Sequence, residues 1–187
     1  MAPPSVSEFV KQVKMQKIGV VEHTEAIFKE IEANFEFGYF NVATKDLALQ
    51  QAKEIEAGIK TGRHEGKLLG LPVSVKDCIC VKGIESRAGS KILSDYIPTF
   101  DATVIEKIRA EGAIIIGKTA QDEFGFGTFC TNTGIGFEIP KNPYDLKRSC
   151  GGSSGGAAGF TALTKMTHAA LGQSTGGSIA CPASFCG

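Results

Sequence analysis

Tryptophan is absent from this 187-residue sequence, histidine occurs three times, and neither sign of charge is in excess, with 20 Lys+Arg against 20 Asp+Glu. The even balance argues against a chain that grips nucleic acid by itself, because phosphate binding needs a basic surface. No uninterrupted apolar run approaches the ~20 residues that cross a bilayer. The opening MAPPSVSEFVKQVK lacks the basic start and apolar stretch of a secretory leader. Six cysteines are present (Cys78, Cys80, Cys130, Cys150, Cys181, Cys186), but none are in CxxC spacing, so no metal site is expected. Without an export signal they are expected to be reduced thiols, in the cytoplasm or a comparably reducing compartment.

What is there suits a packed α/β domain. Hydrophobic residues make up 42% and charged residues 21%, enough for a core. Ser5-Val6-Ser7-Glu8 has capping-box spacing ahead of Phe9, Val10 and Val13. Helical periodicity then predicts helices over 21–33 (Ile27 and Ile31 on one face) and 45–61 (Leu47, Ala52, Ile55 and Ile59 inward). Residues 39–42 read as a short strand, and 71–75 as a strand that delivers Lys76 and Asp77 to its end. A helix is expected from Asp101, with Val104, Ile105 and Ile108, followed by a buried strand over 113–116 closed by Gly117. Helices alternating with wholly apolar strands predict a layered α/β fold. The stretches 150–159 and 172–178 are rich in glycine and serine yet flanked by apolar residues, which predicts tight turns against other structure rather than a linker.

Three motifs look like chemistry and each is disfavoured, the second left open because its partners could lie beyond this sequence. Gly112 to Thr119 fits the phosphate-loop pattern, but its middle is three consecutive isoleucines, which favour the strand itself over a curled anion cradle. Gly152-Ser153-Ser154-Gly155-Gly156 fits a nucleophile elbow centred on Ser154, yet no Asp or Glu follows it and only His168 remains downstream. His23, His64 and His168 read as packing or surface histidines.

A different set survives: Lys76 at a strand end, the Ser153-Ser154 pair in a bed of glycines, and Ser178 directly after Gly176-Gly177. A serine hydroxyl needs a base to act as nucleophile. A lysine stripped of its charge by burial can serve. A second serine can relay the proton, since a hydroxyl both donates and accepts. Glycines beside the nucleophile leave amides free to meet an oxyanion. These parts fit acyl transfer from an amide. Lys76 is expected to be buried with Asp77 on the opposite face, because strand neighbours alternate.

The segments CGGSSGGAAG and LGQSTGGSIACPA, with LPVSVKDCICVKG and GAIIIGKTAQDEFGFG upstream, resemble the amidase-signature family over roughly residues 40 to 187. The resemblance implies a layered amidase-signature α/β fold, a mixed sheet covered by helices, incomplete at the C-terminus, with residues 1–187 the N-terminal portion of a single amidase domain. It implies Lys76 as base, Ser153 as bridging serine in a cis peptide and Ser178 as nucleophile. Ser153 is then expected to lie between Lys76 and Ser178. The amides of Thr175, Gly176, Gly177 and Ser178 would form the oxyanion hole. Within the family the sequence is most similar to the A-subunits of aspartyl/glutamyl-tRNA amidotransferases, especially the archaeal-like ones. That implies glutamine hydrolysis, with ammonia passed to a partner subunit that amidates mischarged Asp-tRNA(Asn) or Glu-tRNA(Gln). It places tRNA, ATP and Mg at the partner, with no cofactor in this chain and no membrane. A free-standing amidase on small amides would share every catalytic residue, and a truncated, catalytically dead chain acting by association is the non-enzymatic alternative. Many family members carry aspartate where Ser174 stands and arginine where Ala180 stands. The Ser153-to-Ser178 spacing is one residue longer than in many, which leaves Ser154 open as the bridge.

Overall fold

The computed structural model describes residues 3–62 and 65–187. The chain runs α1 (Val6–Lys14), α2 (Val20–Ala33), β1 (Phe40–Ala43), α3 (Lys45–Lys60), β2 (Pro72–Lys76), α4 (Thr103–Ala110), β3 (Ile114–Thr119), β4 (Lys141–Asn142), β5 (Asp145–Ser149), α5 (Gly155–Leu163), β6 (Ala169–Leu171) and α6 (Ala180–Cys186). Ser5 Oγ accepts the Glu8 amide at 3.3 Å and starts α1. The reciprocal half of the capping box is not made, because Glu8 Oε1 instead accepts from Gln12 Nε2 at 2.9 Å. Phe9, Val10 and Val13 are buried, as are Ile27 and Ile31 of α2, as their spacing predicts. In α3 the inward stripe is Ala48, Ala52, Ile55 and Gly58. Ala52 and Ile55 are inward as expected and Ile59 is partly buried, whereas Leu47, also expected inward, is 37% exposed.

The main sheet has the order β1-β3-β2-β6. β2 runs parallel to both β3 and β6, while β1 is antiparallel to β3, so the sheet is mixed. Every residue of β2 and β3 is buried, which is why both read as near-continuous apolar runs. α5 lies across β2, β3 and β6. β3 does not close at Gly117 as expected but continues to Thr119. Gly117 has φ +151° and a side chain there would collide with the Val42 carbonyl, so this glycine admits β1 rather than stopping the strand.

Two more expectations are corrected. Half of the 150–159 stretch is helix, not turn. Gly156 and Gly159 let α5 approach closely, because an added Cβ would lie 2.6 Å from Ala120 N and 2.6 Å from Cys150 Sγ respectively. The helix expected from Asp101 starts at Thr103, and Val104 is partly exposed while Ile105 is fully buried. Asp101 instead accepts from Lys82 N at 2.7 Å and pairs with Arg109 at 3.5 Å. The β4–β5 hairpin has no counterpart in the sequence pattern, since exposed Asp-Leu-Lys-Arg-Ser carries no apolar alternation.

Candidate active site

Lys76 is the last residue of β2, and its side chain has no exposed surface. Nζ lies 2.7 Å from Ser153 Oγ and donates to the Gln173 carbonyl at 3.0 Å. Burial pulls its pKa below the ordinary lysine value, and the neighbours that would oppose that pull when charged are Cys78, Cys130 and Asp122. Burial pushes the Cys78 thiol up and the Cys130 thiol up to about 12. Both are therefore neutral near pH 7, and Asp122 alone of the three opposes deprotonation. A neutral amine in this place can donate to Gln173 O and receive the Ser153 proton on its lone pair.

Asp77 points away from Lys76, as strand alternation requires. Its carboxylate accepts from Asn41 Nδ2 and Gly89 N, each at 2.9 Å, and from Arg87 N at 3.3 Å. Lys118 Nζ stands 3.7 Å away and also donates to Ser86 Oγ at 2.6 Å. Asp77 is thus held by other donors and does not re-ionise the site lysine.

The paired serines have different surroundings. Ser153 is fully buried beside Lys76, and the Gly152–Ser153 peptide bond is cis. Ser154 Oγ reaches only the Gln173 carbonyl, at 3.5 Å, while its amide donates to the Ser178 carbonyl at 3.2 Å. Lys76 therefore meets Ser153 and not Ser154. Ser178, half-buried, sits on the loop between β6 and α6. Its main chain is joined to the Ser153-Ser154 turn, but no hydrogen bond links its hydroxyl to that of Ser153. Among the expected oxyanion donors, Gly177 N–H is taken by Ser174 Oγ at 3.3 Å. The amides of Thr175, Gly176 and Ser178 have no acceptor within the described chain. They border a cleft of about 430 Å³ walled also by Phe124, Phe126 and Gln173, within the size range of small-ligand sites.

Asp122 is the residue that sequence reasoning missed. Its amide donates to the Ser153 carbonyl at 3.2 Å, and its carboxylate accepts from Cys130 N at 3.1 Å and Asn132 N at 2.8 Å. It fastens three loops around the lysine. No sequence signal marks it, although in the structure a side chain at Gly127 or Gly152 would collide with this carboxylate.

The histidines stay outside the cleft chemistry. His168 Nε2 pairs with Ser74 Oγ at 2.9 Å, and burial pushes its pKa down to about 3. His23 Nε2 meets the Thr167 carbonyl at 2.8 Å. His64 lies outside the described residues. No cluster of His, Cys, Asp or Glu able to hold a metal occurs among the described residues, and no helix among them is long and apolar enough to cross a membrane.

The sequence profile of the amidase family matches residues 22–187. The second glutamyl-tRNA(Gln) amidotransferase A-subunit of Clostridium acetobutylicum is 46% identical over 164 residues, covering 87% of this chain and 34% of that protein. The corresponding A-subunit of Methanosarcina barkeri is 44% identical over 187 residues, covering 100% of this chain and 36% of that one. Among solved structures, the peptide amidase of Stenotrophomonas maltophilia superposes with a TM-score of 0.84 at 28% identity, covering 96% of this chain and 38% of its own. The chain thus spans about a third of the length of these curated relatives.

Proposed function

The chain belongs to the amidase family, and from that footing we propose that it hydrolyses an amide with Lys76 as base, Ser153 as proton carrier and Ser178 as nucleophile. The observation that carries this reading is the fully buried Lys76 amine 2.7 Å from Ser153 Oγ. Ser178 Oγ attacks the amide carbonyl carbon and passes its proton to Ser153, whose own proton moves to Lys76. The negative carbonyl oxygen is met by the free amides of Thr175, Gly176 and Ser178. The proton then returns through Ser153 to the leaving nitrogen, ammonia departs, and water releases the acyl group by the same relay. The relay needs the Ser153 and Ser178 hydroxyls in contact. Such bonds are often open without substrate and tighten in the complex.

The preferred amide is glutamine. The identity with the A-subunits of glutamyl-tRNA(Gln) amidotransferases supports this, with ammonia going to a partner subunit that holds tRNA, ATP and Mg. A free-standing amidase on small or aryl amides is the second reading, favoured by the apolar cleft wall of Phe124 and Phe126.

A fluorophosphonate that labels activated serines tests the chemistry. We expect one adduct, at Ser178, lost in Ser178→Ala and in Lys76→Ala. An adduct at Ser154, or none on the folded chain, would overturn the assignment. Ammonia release from glutamine against that from benzamide separates the two substrate readings.

A further inference from the structure

Cys150 and Cys186 lie at the outer ends of the two serine-bearing segments, three residues before Ser153 and eight after Ser178. Both are buried, yet they are not isolated. Cys186 Sγ donates to the Cys150 carbonyl at 3.5 Å and accepts from Asn142 Nδ2 at 3.9 Å. Cys150 Sγ donates to Lys141 O at 3.1 Å, and a side chain at Gly159 would lie 2.6 Å from that sulfur, so Cys150 is fixed. Cys186 is the more approachable of the pair. It borders a groove of about 330 Å³ between α5, β6 and α6, on a seven-residue helix whose end is held by Asn142 Nδ2 donating to Phe185 O at 2.8 Å.

We infer that Cys150 and Cys186 are a reactive dithiol, a site at which a small disulfide such as oxidised glutathione closes a Cys150–Cys186 bond. The Cys186 thiolate attacks one sulfur of glutathione disulfide and expels one glutathione thiolate. The Cys150 thiolate then attacks the Cys186 sulfur of the mixed disulfide and expels the second. The protein loses two protons and two electrons, and the reagent takes up both to become two glutathione molecules. The roles follow from place: the thiol on the groove attacks first, and the fixed thiol resolves. Contact with the Cys150 thiol also lowers the Cys186 pKa and raises that of Cys150, which agrees with this order. The remaining cysteines have other surroundings. Cys181 Sγ donates to Thr128 O at 3.1 Å, and Cys130 packs beneath Gly155. The bond would tie the start of the Ser153 turn to the helix that follows Ser178. This thiol chemistry is independent of the proposed amide hydrolysis.

The test is to incubate the folded chain with oxidised glutathione, alkylate all remaining thiols in denaturant, and map the peptides by mass spectrometry. The expected product is lighter by two hydrogens, with the Cys150 and Cys186 peptides linked and Cys78, Cys80, Cys130 and Cys181 alkylated. Cys150→Ser should trap glutathione on Cys186, while Cys186→Ser should leave Cys150 free for alkylation. Recovery of both thiols alkylated in the wild-type chain, or linkage of either to Cys181 or Cys130 instead, would overturn the inference. The wild-type map decides the matter even if a variant fails to fold.

Discussion

Lys76 and Lys118 stand on neighbouring strands one register step apart, point to opposite faces of the sheet, and each places Nζ on a buried serine hydroxyl, Ser153 at 2.7 Å and Ser86 at 2.6 Å. The resemblance is geometric and the chemistry differs. Lys118 has Asp77 at 3.7 Å and neither group has exposed side-chain surface, whereas Lys76 has no carboxylate in hydrogen-bonding contact and ends on the buried Ser153 hydroxyl.

The buried ion pair should therefore matter to folding. Lys118→Met leaves Asp77 charged with only the Asn41, Gly89 and Arg87 donors, and breaking a buried pair typically costs about 3–5 kcal/mol. Those three remaining bonds place the expected loss at the lower end of that range. Urea unfolding measures it. Adding Asp77→Asn should restore part of the loss, because the uncompensated charge is then gone. A single variant as stable as wild type would show that the pair contributes nothing net.

For Lys76 the expectation concerns protons. A depressed pKa means that the folded chain holds this proton less tightly than the unfolded chain, whose lysine titrates near ~10.4. Stability should rise with pH between the lowered native value and that unfolded value, and Lys76→Met should flatten this rise. Amide hydrolysis should increase with pH as the amine loses its proton. Lys76→Arg should lower turnover by about 10²–10⁴-fold, since guanidinium stays protonated. A fully active Lys76→Arg enzyme would move the base elsewhere.

The residues legible in the sequence are those whose partners also lie inside contiguous motifs. Lys76 ends an apolar strand and Ser153 sits in a glycine bed, so each stands out by its own surroundings, and the structure joins them at 2.7 Å. Asp122 is not legible because its carboxylate answers main-chain amides of Cys130 and Asn132, which leave no trace in side-chain identity. The glycines of α5 read as turn residues because helix propensity counts them as breakers, while their use here is close approach to Ala120 and Cys150. Hydrophobicity alone misplaces Leu47, since the small Ala48 beside it is the residue that is buried.

Gly152→Ala should disturb the site through that same carboxylate. The new Cβ would collide with Asp122 and lie 2.6 Å from Cys130 N. Asp122 cannot swing away without releasing two amides. A loss of about 1–3 kcal/mol is expected, the usual range for overpacking. Gly176→Ala is the control, since its Cβ would meet open space and its stability should change by no more than about 0.5 kcal/mol. Equal effects of the two substitutions on thermal unfolding would remove Asp122 from the role of fastening the Ser153 turn.

His168 should contribute to the loss of stability in acid. Burial first, and the nearby His23 charge second, depress its pKa to about 3, and its Nδ1 has no partner. Above the unfolded value of about 6.5 the ring is neutral in both states and contributes no pH dependence. As pH falls from about 6.5 toward 3, the unfolded chain takes up the proton while the folded chain does not, so stability declines. One titrating group accounts for a slope of at most about 1.36 kcal/mol per pH unit. His168→Gln keeps a polar group for Ser74 but cannot be protonated, so it should reduce the acid-side slope by up to that amount without altering the slope above pH 7. The difference between wild type and variant isolates this residue from His23 and the carboxylates, which titrate in both. Identical slopes from thermal unfolding across pH 4–7 would mean that the folded chain accepts the proton at His168 after all.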